Sequence, residues 1–364
     1  MFKVIIRRLL LWSNIILALI LLLSTYLPYL NPGKYWMAGF AGLLFPLLFP
    51  VCLLFIPVWL WYQKKYAFIS LTVACLCLGA AKHTWGIHFF QNNNIPKQHG
   101  SGEFTLMTYN TSSMGLAYYR NDTTKLTAIY DVIKAASPDI LCLQEFYTND
   151  KQEYTNNIDS IRLVGSYPYH YFTCDKTHWD TWHYGIVLFS RFPIINAISI
   201  PCGKSAMGSG SSFLQADIMM QKDTIRIFSV QLTSYMFNGK DYSDIHTAKG
   251  TRLINKMKQT FSRRSLQALQ LAGLVAQSPY PVIVCGDFND TPVSFTYRTI
   301  SRDLQDAFLQ TGTGFGRTLS YLSPTLRIDY LLPQHKFRIH TSKVLSVSPS
   351  EHFPVIACLS LKKD

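Results

Sequence analysis

The first 98 residues contain no aspartate or glutamate, against eight lysines and arginines. Over the whole 364-residue chain only 15% of residues are charged, a low share for a soluble protein. Both shortages have one source. With the eight N-terminal cations set aside, 26 basic and 21 acidic residues remain, a net of +5 out of the overall +13. The positive balance thus belongs mostly to the flanks of apolar runs. Beyond residue 98 it is too small to argue for a basic nucleic-acid groove. Also missing are any cysteine or histidine cluster with zinc spacing, any internal repeat and any long low-complexity segment. Of the eight cysteines, Cys52, Cys75 and Cys77 sit in apolar N-terminal stretches. Cys142, Cys285 and Cys358 sit in strand-like runs, where a thiol is buried and inert. Only Cys174 and Cys202 lie in loop-like sequence, where an oxidising compartment would permit a bridge without requiring one.

In place of charge the N-terminus carries hydrocarbon. Residues 9–30 form a near-continuous apolar run, about the length of a membrane-spanning helix, closed by Asn31-Pro32-Gly33. Residues 36–62 form a second, with Pro46, Pro50 and Pro57 inside it, which a membrane helix tolerates. Residues 66–81 form a shorter third, ended by Lys82 and His83. The expectation is a transmembrane region over residues 1–90 with about three helices (9–30, 36–62, 66–81). Trp12, Trp36, Trp59, Trp61 and Trp85 fall near the run ends, as an aromatic belt would. A cleaved signal peptide fits the first run poorly, since its leucine-rich core is long and lacks a small-residue cleavage site. Lys3, Arg7 and Arg8 precede the first run and Lys64 and Lys65 fill the second loop, whereas Lys34 stands alone in the first. The positive-inside rule places the N-terminus and second loop in the cytoplasm, and three spans leave everything after about residue 90 on the opposite side. Residues 91–102, rich in Asn, Gly and Pro, read as a linker.

From Glu103 the pattern changes to short strands and turns, predicting a second domain over 103–364. Phe104–Tyr109 alternates and ends at Asn110. Leu126, Ile129, Val132 and Ile133 predict a helix over 125–136, stopped by Ser137-Pro138-Asp139. Ile140–Gln144 predicts a strand ending at Glu145, and further strands are expected over 186–189, 224–230, 327–332 and 353–361, with a helix over 253–276. His170, His178 and His183 lie in an aromatic-rich stretch, 167–184, that reads as loop, with packing or surface roles. The central element is PVIVCGDFNDTP at 281–292. A β-branched run gives a buried strand, Gly286 breaks it, and Asp287 and Asn289 share one face while Phe288 takes the other.

Asn110, Glu145, Asp287 and Asn289 thus each lie at or just past a strand end, and Glu351-His352 immediately precedes a strand. Strand ends at one edge of a sheet converge in space, where α/β domains place their sites. Hard oxygen ligands of this kind suit Mg²⁺ or Mn²⁺, with water and substrate phosphate completing the shell. Asn110-Thr111-Ser112 also matches a glycosylation sequon, but a site asparagine has no room for a glycan.

These segments resemble the endonuclease/exonuclease/phosphatase superfamily, which includes pancreatic deoxyribonuclease, abasic-site endonucleases, neutral sphingomyelinases and inositol-polyphosphate 5-phosphatases. The resemblance rests on TYN at 108–110, QE at 144–145, SRFP at 190–193, GDFN at 286–289, IDY at 328–330 and SEH at 350–352. It implies a four-layer α/β sandwich, two mixed β-sheets face to face with helices outside. It also implies roles: Glu145 as metal ligand with Asn110 and Glu351 beside it, Asp287 activating water, Asn289 holding phosphate, and His352 bearing on a phosphoryl oxygen while oriented by Asp329. Two positions depart from the pattern. Glu351 stands where the family usually has Asp, one methylene longer. Gln231 stands where it often has His, and an amide donates a hydrogen bond but supplies no proton.

The resulting expectation is a membrane-anchored, Mg²⁺- or Mn²⁺-dependent phosphoester hydrolase of phosphodiesterase or nuclease type on the non-cytoplasmic side. Its substrate would be a nucleic acid or a phospholipid, and the bilayer is its one expected partner. The anchor favours the phospholipid alternative. Gln231 favours a second alternative, a non-catalytic protein that binds a phosphorylated ligand.

Overall fold

The computed structural model describes residues 2–88, 95, 100, 102–118, 122–151, 155–205, 208–235, 250–346 and 349–362. The chain forms two compact units. One comprises Met1–Trp85, Phe237–Ser265 and Thr291–Arg298, and the other Gly86–Met236, Leu266–Asp290 and Thr299–Asp364. The expected linker 91–102 lies outside the described residues except for Ile95, Gly100 and Gly102.

The first unit is built on helices Phe2–Tyr26 and Ala38–Tyr62, both long and apolar enough to cross a membrane. Pro46, Pro50 and Pro57 sit inside the second without ending it. The third apolar run is not one rod. It consists of Lys64–Leu76 and Leu78–Thr84, bent by 59° at Cys77, so the unit has two candidate spans, or three if the bent pair is one. Leu21, Phe45, Cys52 and Val73 meet in its core. Polar side chains there find each other: Ser70 Oγ donates to Asn14 Oδ1 at 2.8 Å and Thr25 Oγ1 to Cys77 Sγ at 3.1 Å. A polar group sealed among hydrocarbon is costly without such a partner.

The second unit carries fourteen strands among the described residues: β1 Gly86–Ile87, β2 Glu103–Asn110, β3 Ile140–Asn149, β4 Tyr169–Phe172, β5 Lys176–His178, β6 Trp182–Ser190, β7 Ile194–Pro201, β8 Ser212–Met220, β9 Asp223–Gln231, β10 Val282–Asp287, β11 Thr313–Gly314, β12 Asp329–Pro333, β13 Phe337–Val344 and β14 Val355–Leu361. A short β1–β11 ladder stands apart. The two large sheets have the orders β12-β10-β9-β8-β7 and β13-β14-β2-β3-β6-β4, with β5 added to β6. Each is mixed, with one parallel pair, β9–β10 in the smaller and β2–β3 in the larger. The pairs face each other across a core of Phe104, Leu106, Ile140, Cys142, Ile225, Ile227, Ile283 and Cys285.

Helices cover the outer faces. Helix Thr124–Ala136 lays Leu126, Ile129 and Ile133 against Met107, Leu141 and Leu143 of the larger sheet, joined by Ile161 of helix Asn157–Gly165. Outward residues of the smaller sheet, Phe228, Val230, Val282 and Val284, are fully buried. Helix Gly250–Ala276 is tied to the end of β7 and the loop after it by Gln270 Nε2 donating to Pro201 O and Gln267 Nε2 to Gly210 O, both at 2.9 Å. This is the expected four-layer α/β sandwich.

Residues 167–184 differ from the loop expected from sequence. His170 lies in β4, His178 in β5 and His183 in β6. β4 and β5 are short edge strands, and their mixture of aromatic and polar residues carries little period-2 signal. All eight cysteines are free, Cys174 and Cys202 included.

Candidate active site

Side-chain parity builds the site. Successive residues of a strand point to opposite faces, so the residues that continue each inward apolar series also point inward. Phe104 and Leu106 lead to Thr108 and Asn110, Ile140 and Cys142 to Gln144, Ile225 and Ile227 to Ser229 and Gln231, Ile283 and Cys285 to Asp287, and Leu331 back to Asp329. Toward one end the core therefore changes from hydrocarbon to amide and carboxylate. Gln231, Asp287 and Asp329 are direct register partners across β9, β10 and β12, while Asn110 is opposite Gln144 in the facing sheet. Gln144 Nε2 spans the sheets to Ser229 Oγ at 3.0 Å.

Glu145 breaks the parity and reaches the site only through an irregularity. The β3–β6 register shifts between Leu143 and Phe146, and Glu145 takes a left-handed φ of 49°. The extra residue of a bulge re-aims its side chain. Phe146 returns to the outer face with Met107 and Leu143, and Glu145 meets the inward group. Its Oε1 accepts from Gln231 Nε2 at 2.7 Å and from Asn110 Nδ2 at 3.3 Å.

Asp287 is the hub. Its Oδ2 accepts from Asn110 Nδ2 and Asn289 Nδ2, each at 3.0 Å, and its Oδ1 from the Asn289 amide at 2.8 Å. Gly286 makes this approach possible. Its φ of +133° is closed to other residues, and a Cβ there would lie 1.9 Å from Val230 O. Asn289, at φ 52°, also donates to Leu232 O at 3.0 Å, so its amide is committed to holding Asp287. His352 Nδ1 lies 2.9 Å from Asp329 Oδ2, and Thr318 Oγ1 fixes Asp329 by accepting its amide at 3.1 Å. His352 Nε2 stands 3.9 Å from Asp287 Oδ2, too far for a hydrogen bond. Ser350 Oγ joins the segments by donating to Asn110 O at 2.7 Å and accepting from the His352 amide at 3.1 Å.

Burial and like charge set the protonation. Burial first, and Asp329 second, push Asp287 up to about 7, against the pull of His352. For His352 burial opposes charge, but Asp329 and then Asp287 outweigh it and raise the imidazole to about 10. At neutral pH the histidine holds the proton. Burial, then the Glu145 carboxylate, hold the Tyr184 phenol well above its usual range.

Asn110, Glu145, Gln231, Asp287, Asn289, Asp329 and His352 are thus brought together, from both sheets. Glu351 is exposed. It is tied to the group through its backbone amide on Ser112 Oγ at 3.2 Å, and its carboxylate has no hydrogen bond among the described residues. SRFP is structural: Arg191 binds Asp139 at 3.2 Å and Ser137 Oγ at 2.7 Å, pinning a corner. Sequence reasoning missed Tyr184, whose hydroxyl donates to Gln231 Oε1 at 3.0 Å, and Thr318. Neither carries a motif; both are defined by what they touch.

Two donor sets bear on a cation. Asp287, Asp329 and His352 place one ligand atom each within 4.8 Å of one another, the group of that kind found among the described residues, and it could hold a metal. In this arrangement, however, both Asp287 oxygens already accept hydrogen bonds and His352 Nδ1 is engaged by Asp329. Glu145 is different. Both donors fall on Oε1, and among the described residues no hydrogen bond is made by Oε2, a carboxylate oxygen of the kind that suits a hard divalent ion.

The site and sandwich define a phosphoesterase-type fold, and comparison with known proteins agrees. The Endonuclease/Exonuclease/phosphatase family profile matches residues 107–352. The chain belongs to this family. A second profile, a domain of unknown function, matches residues 7–84. No curated protein matches the chain. Similar solved structures include an endonuclease/exonuclease/phosphatase from Beutenbergia cavernae, with TM-score 0.51, 18% identity and coverage of 71% of this chain and 72% of that one. The human Nocturnin catalytic domain with bound sulfate anion has TM-score 0.51, 18% identity and coverage of 72% and 94%. D. rerio TDP2 complexed with single strand DNA product has TM-score 0.51, 11% identity and coverage of 71% and 99%. At these identities the likeness shows the fold.

Proposed function

We propose that the chain is a membrane-anchored, divalent-metal-dependent hydrolase of phosphodiesters. The observation that carries this reading is the junction of Asn110, Glu145 and Asp287, where one buried amide donates to two carboxylates from opposite sheets. Magnesium or manganese at Glu145 Oε2, with Asn110 beside that carboxylate and the exposed Glu351 as a further candidate ligand, would neutralise phosphoryl charge and polarise water. The protein's own residues account for the rest. Asp287, with its affinity for protons raised to near neutrality, is suited to take a proton from attacking water. Asn289 and Asn110 hold its carboxylate in place. His352 Nε2 stands 3.9 Å from Asp287 Oδ2; the imidazolium, backed by Asp329, would donate to a phosphoryl oxygen and stabilise it. Gln231 contributes a neutral N–H and no proton, so substrates with good leaving groups should turn over best.

One similar structure, that of D. rerio TDP2, is complexed with a single strand DNA product, which supports a nucleic-acid ester as substrate. The two candidate spans favour a phospholipid ester instead. Full-length protein in detergent, assayed on bis-nitrophenyl phosphate, an oligonucleotide and a phospholipid with Mg²⁺ or with EDTA, tests the reading. Turnover of at least one ester with metal and none with EDTA is expected. Metal-independent turnover would sink it, and phosphate binding without turnover on any ester would favour a non-catalytic binder.

A further inference from the structure

Gln231 is one of the two departures from the pattern that the resemblance implies, and the structure shows what holds it. An amide presents either oxygen or nitrogen to a given neighbour, because the two ends are alike in shape. Facing Glu145 Oε1 with oxygen would set two acceptors together; facing it with nitrogen makes the 2.7 Å hydrogen bond observed. On the amide's other end stands the Tyr184 hydroxyl, donating to Oε1 of Gln231 at 3.0 Å. We propose that Tyr184 is a positioning residue: by donating to Gln231 it fixes the amide with Nε2 toward Glu145, which keeps the donors on Glu145 Oε1 and leaves Oε2 open for a divalent cation. The proposal rests on the metal-dependent reading above.

The geometry supports a fixed rather than adaptable donor. Tyr184 is 4% exposed, in a cluster with Tyr147 and Trp182. The Tyr147 ring meets it edge-on at 5.0 Å and 64°. Gly208 closes the other side, where a Cβ would lie 2.4 Å from the Tyr184 ring. The ring therefore cannot swing away, and burial beside Glu145 keeps the phenol protonated through the physiological range. The phenol acts on the carboxylate through Gln231, as outer partners act on metal ligands elsewhere.

The test compares full-length wild type, Tyr184→Phe, Gln231→Ala and the double variant in detergent micelles. Free Mn²⁺ is titrated by electron paramagnetic resonance, and the Gln231 side-chain amide is followed by NMR in ¹⁵N-glutamine-labelled protein. Removing an outer partner of a metal ligand costs about 10- to 100-fold in affinity, so Tyr184→Phe should weaken Mn²⁺ binding by about tenfold. It should add nothing in the Gln231→Ala background, and the Gln231 amide protons should lose their exchange protection. An unchanged Gln231 amide in Tyr184→Phe, or fully multiplicative effects of the two substitutions, overturns the proposal. Wild type that takes up no Mn²⁺ refutes the metal-dependent reading instead, and the amide signal then decides the positioning role by itself.

Discussion

Asn110 Nδ2 and Asp287 Oδ2 lie 3.0 Å apart although 177 residues separate them in the chain. Neither is in the other's sheet. The contact exists because both residues end the inward face of a strand from a parallel pair, and the two pairs face each other. Parallel neighbours run toward the same edge, so the ends of β2, β9 and β10 meet there beside the bulged middle of β3, which runs on to Asn149 instead of ending at Glu145.

Replacing Asn110 tests that junction. Asn110→Ala leaves Asp287 and Glu145 as neighbouring carboxylates without their shared donor. We expect kcat on bis-nitrophenyl phosphate to fall by about 10²-fold or more, the scale of losing one oriented hydrogen-bond donor in a site. Asn110→Asp adds a third negative charge and should be worse at neutral pH. Activity within a factor of two of wild type in Asn110→Ala would show that the junction is not part of the catalytic machinery.

The glycine before Asp287 gives a stability prediction with its own control. Gly286→Ala must displace Val230 O, 1.9 Å from the new Cβ, at a φ of +133°. Forced backbone conformations and overpacking each cost about 1–3 kcal/mol, so a loss of more than about 2 kcal/mol is expected in denaturant unfolding. Gly273→Ala, on an exposed helix position with open space around its Cβ, should instead stabilise by about 0.5–1 kcal/mol. Equal effects at the two positions would contradict the assigned geometry.

Much of this site was legible in the sequence, and the reason is parity. A strand's alternation carries its inward face to its end, so Asn110, Gln231 and Asp287 could be read from the runs before them, whereas Asp329, the first residue of β12, was named from the resemblance. Glu145 was named from its motif, but its route to the site could not be read. By parity it faces outward, and only a register shift against β6, a property of the pair rather than of β3, turns it in. Strands β4 and β5 were hidden for a related reason: edge strands need only one partner and tolerate polar residues on both faces. Tyr184 and Thr318 were invisible because each acts through a neighbour that the fold alone supplies.

Histidine 352 predicts a pH dependence. Its affinity for protons rises from the ordinary 6.5 to about 10 on folding, through Asp329 and Asp287 against the cost of burial. The folded state binds this proton more tightly than the unfolded state. Its contribution to stability is therefore fully present below about 6.5 and is lost as pH climbs toward 10. In EDTA-treated protein, wild type should lose stability relative to His352→Gln as pH rises from 6.5 to 10. A constant difference between the two across that window would mean that His352 is not held protonated.

The side on which the second unit lies turns on the bend at Cys77, because two crossings return the chain to its starting side and three do not. The contacts within the helical unit argue for three. Arg7 Nη1 lies 3.5 Å from Gln63 Oε1, so the N-terminus and the second loop are at one level. From there Lys64–Leu76 runs beside Phe2–Tyr26. Ser70 meets Asn14, Cys77 meets Thr25, and Tyr26 Oη donates to Leu76 O at 2.9 Å. At 1.5 Å per residue, Arg7 to Thr25 covers about 27 Å, most of a hydrocarbon core of about 30 Å. The first arm of the bent pair thus already reaches the far end of its neighbour, and a re-entrant loop would have to turn back before that level. With basic residues at Lys3, Arg7, Arg8, Lys64 and Lys65, the positive-inside rule would put the near end in the cytoplasm. We therefore expect a C-terminal fusion to a reporter that works only outside the cytoplasm to be active, and one that works only inside to be silent. Moving the cytoplasm-only reporter to the loop at Gln63 should restore its signal. Activity of that reporter at the C-terminus would mean that the chain turns back at Cys77 and that the site faces the cytoplasm.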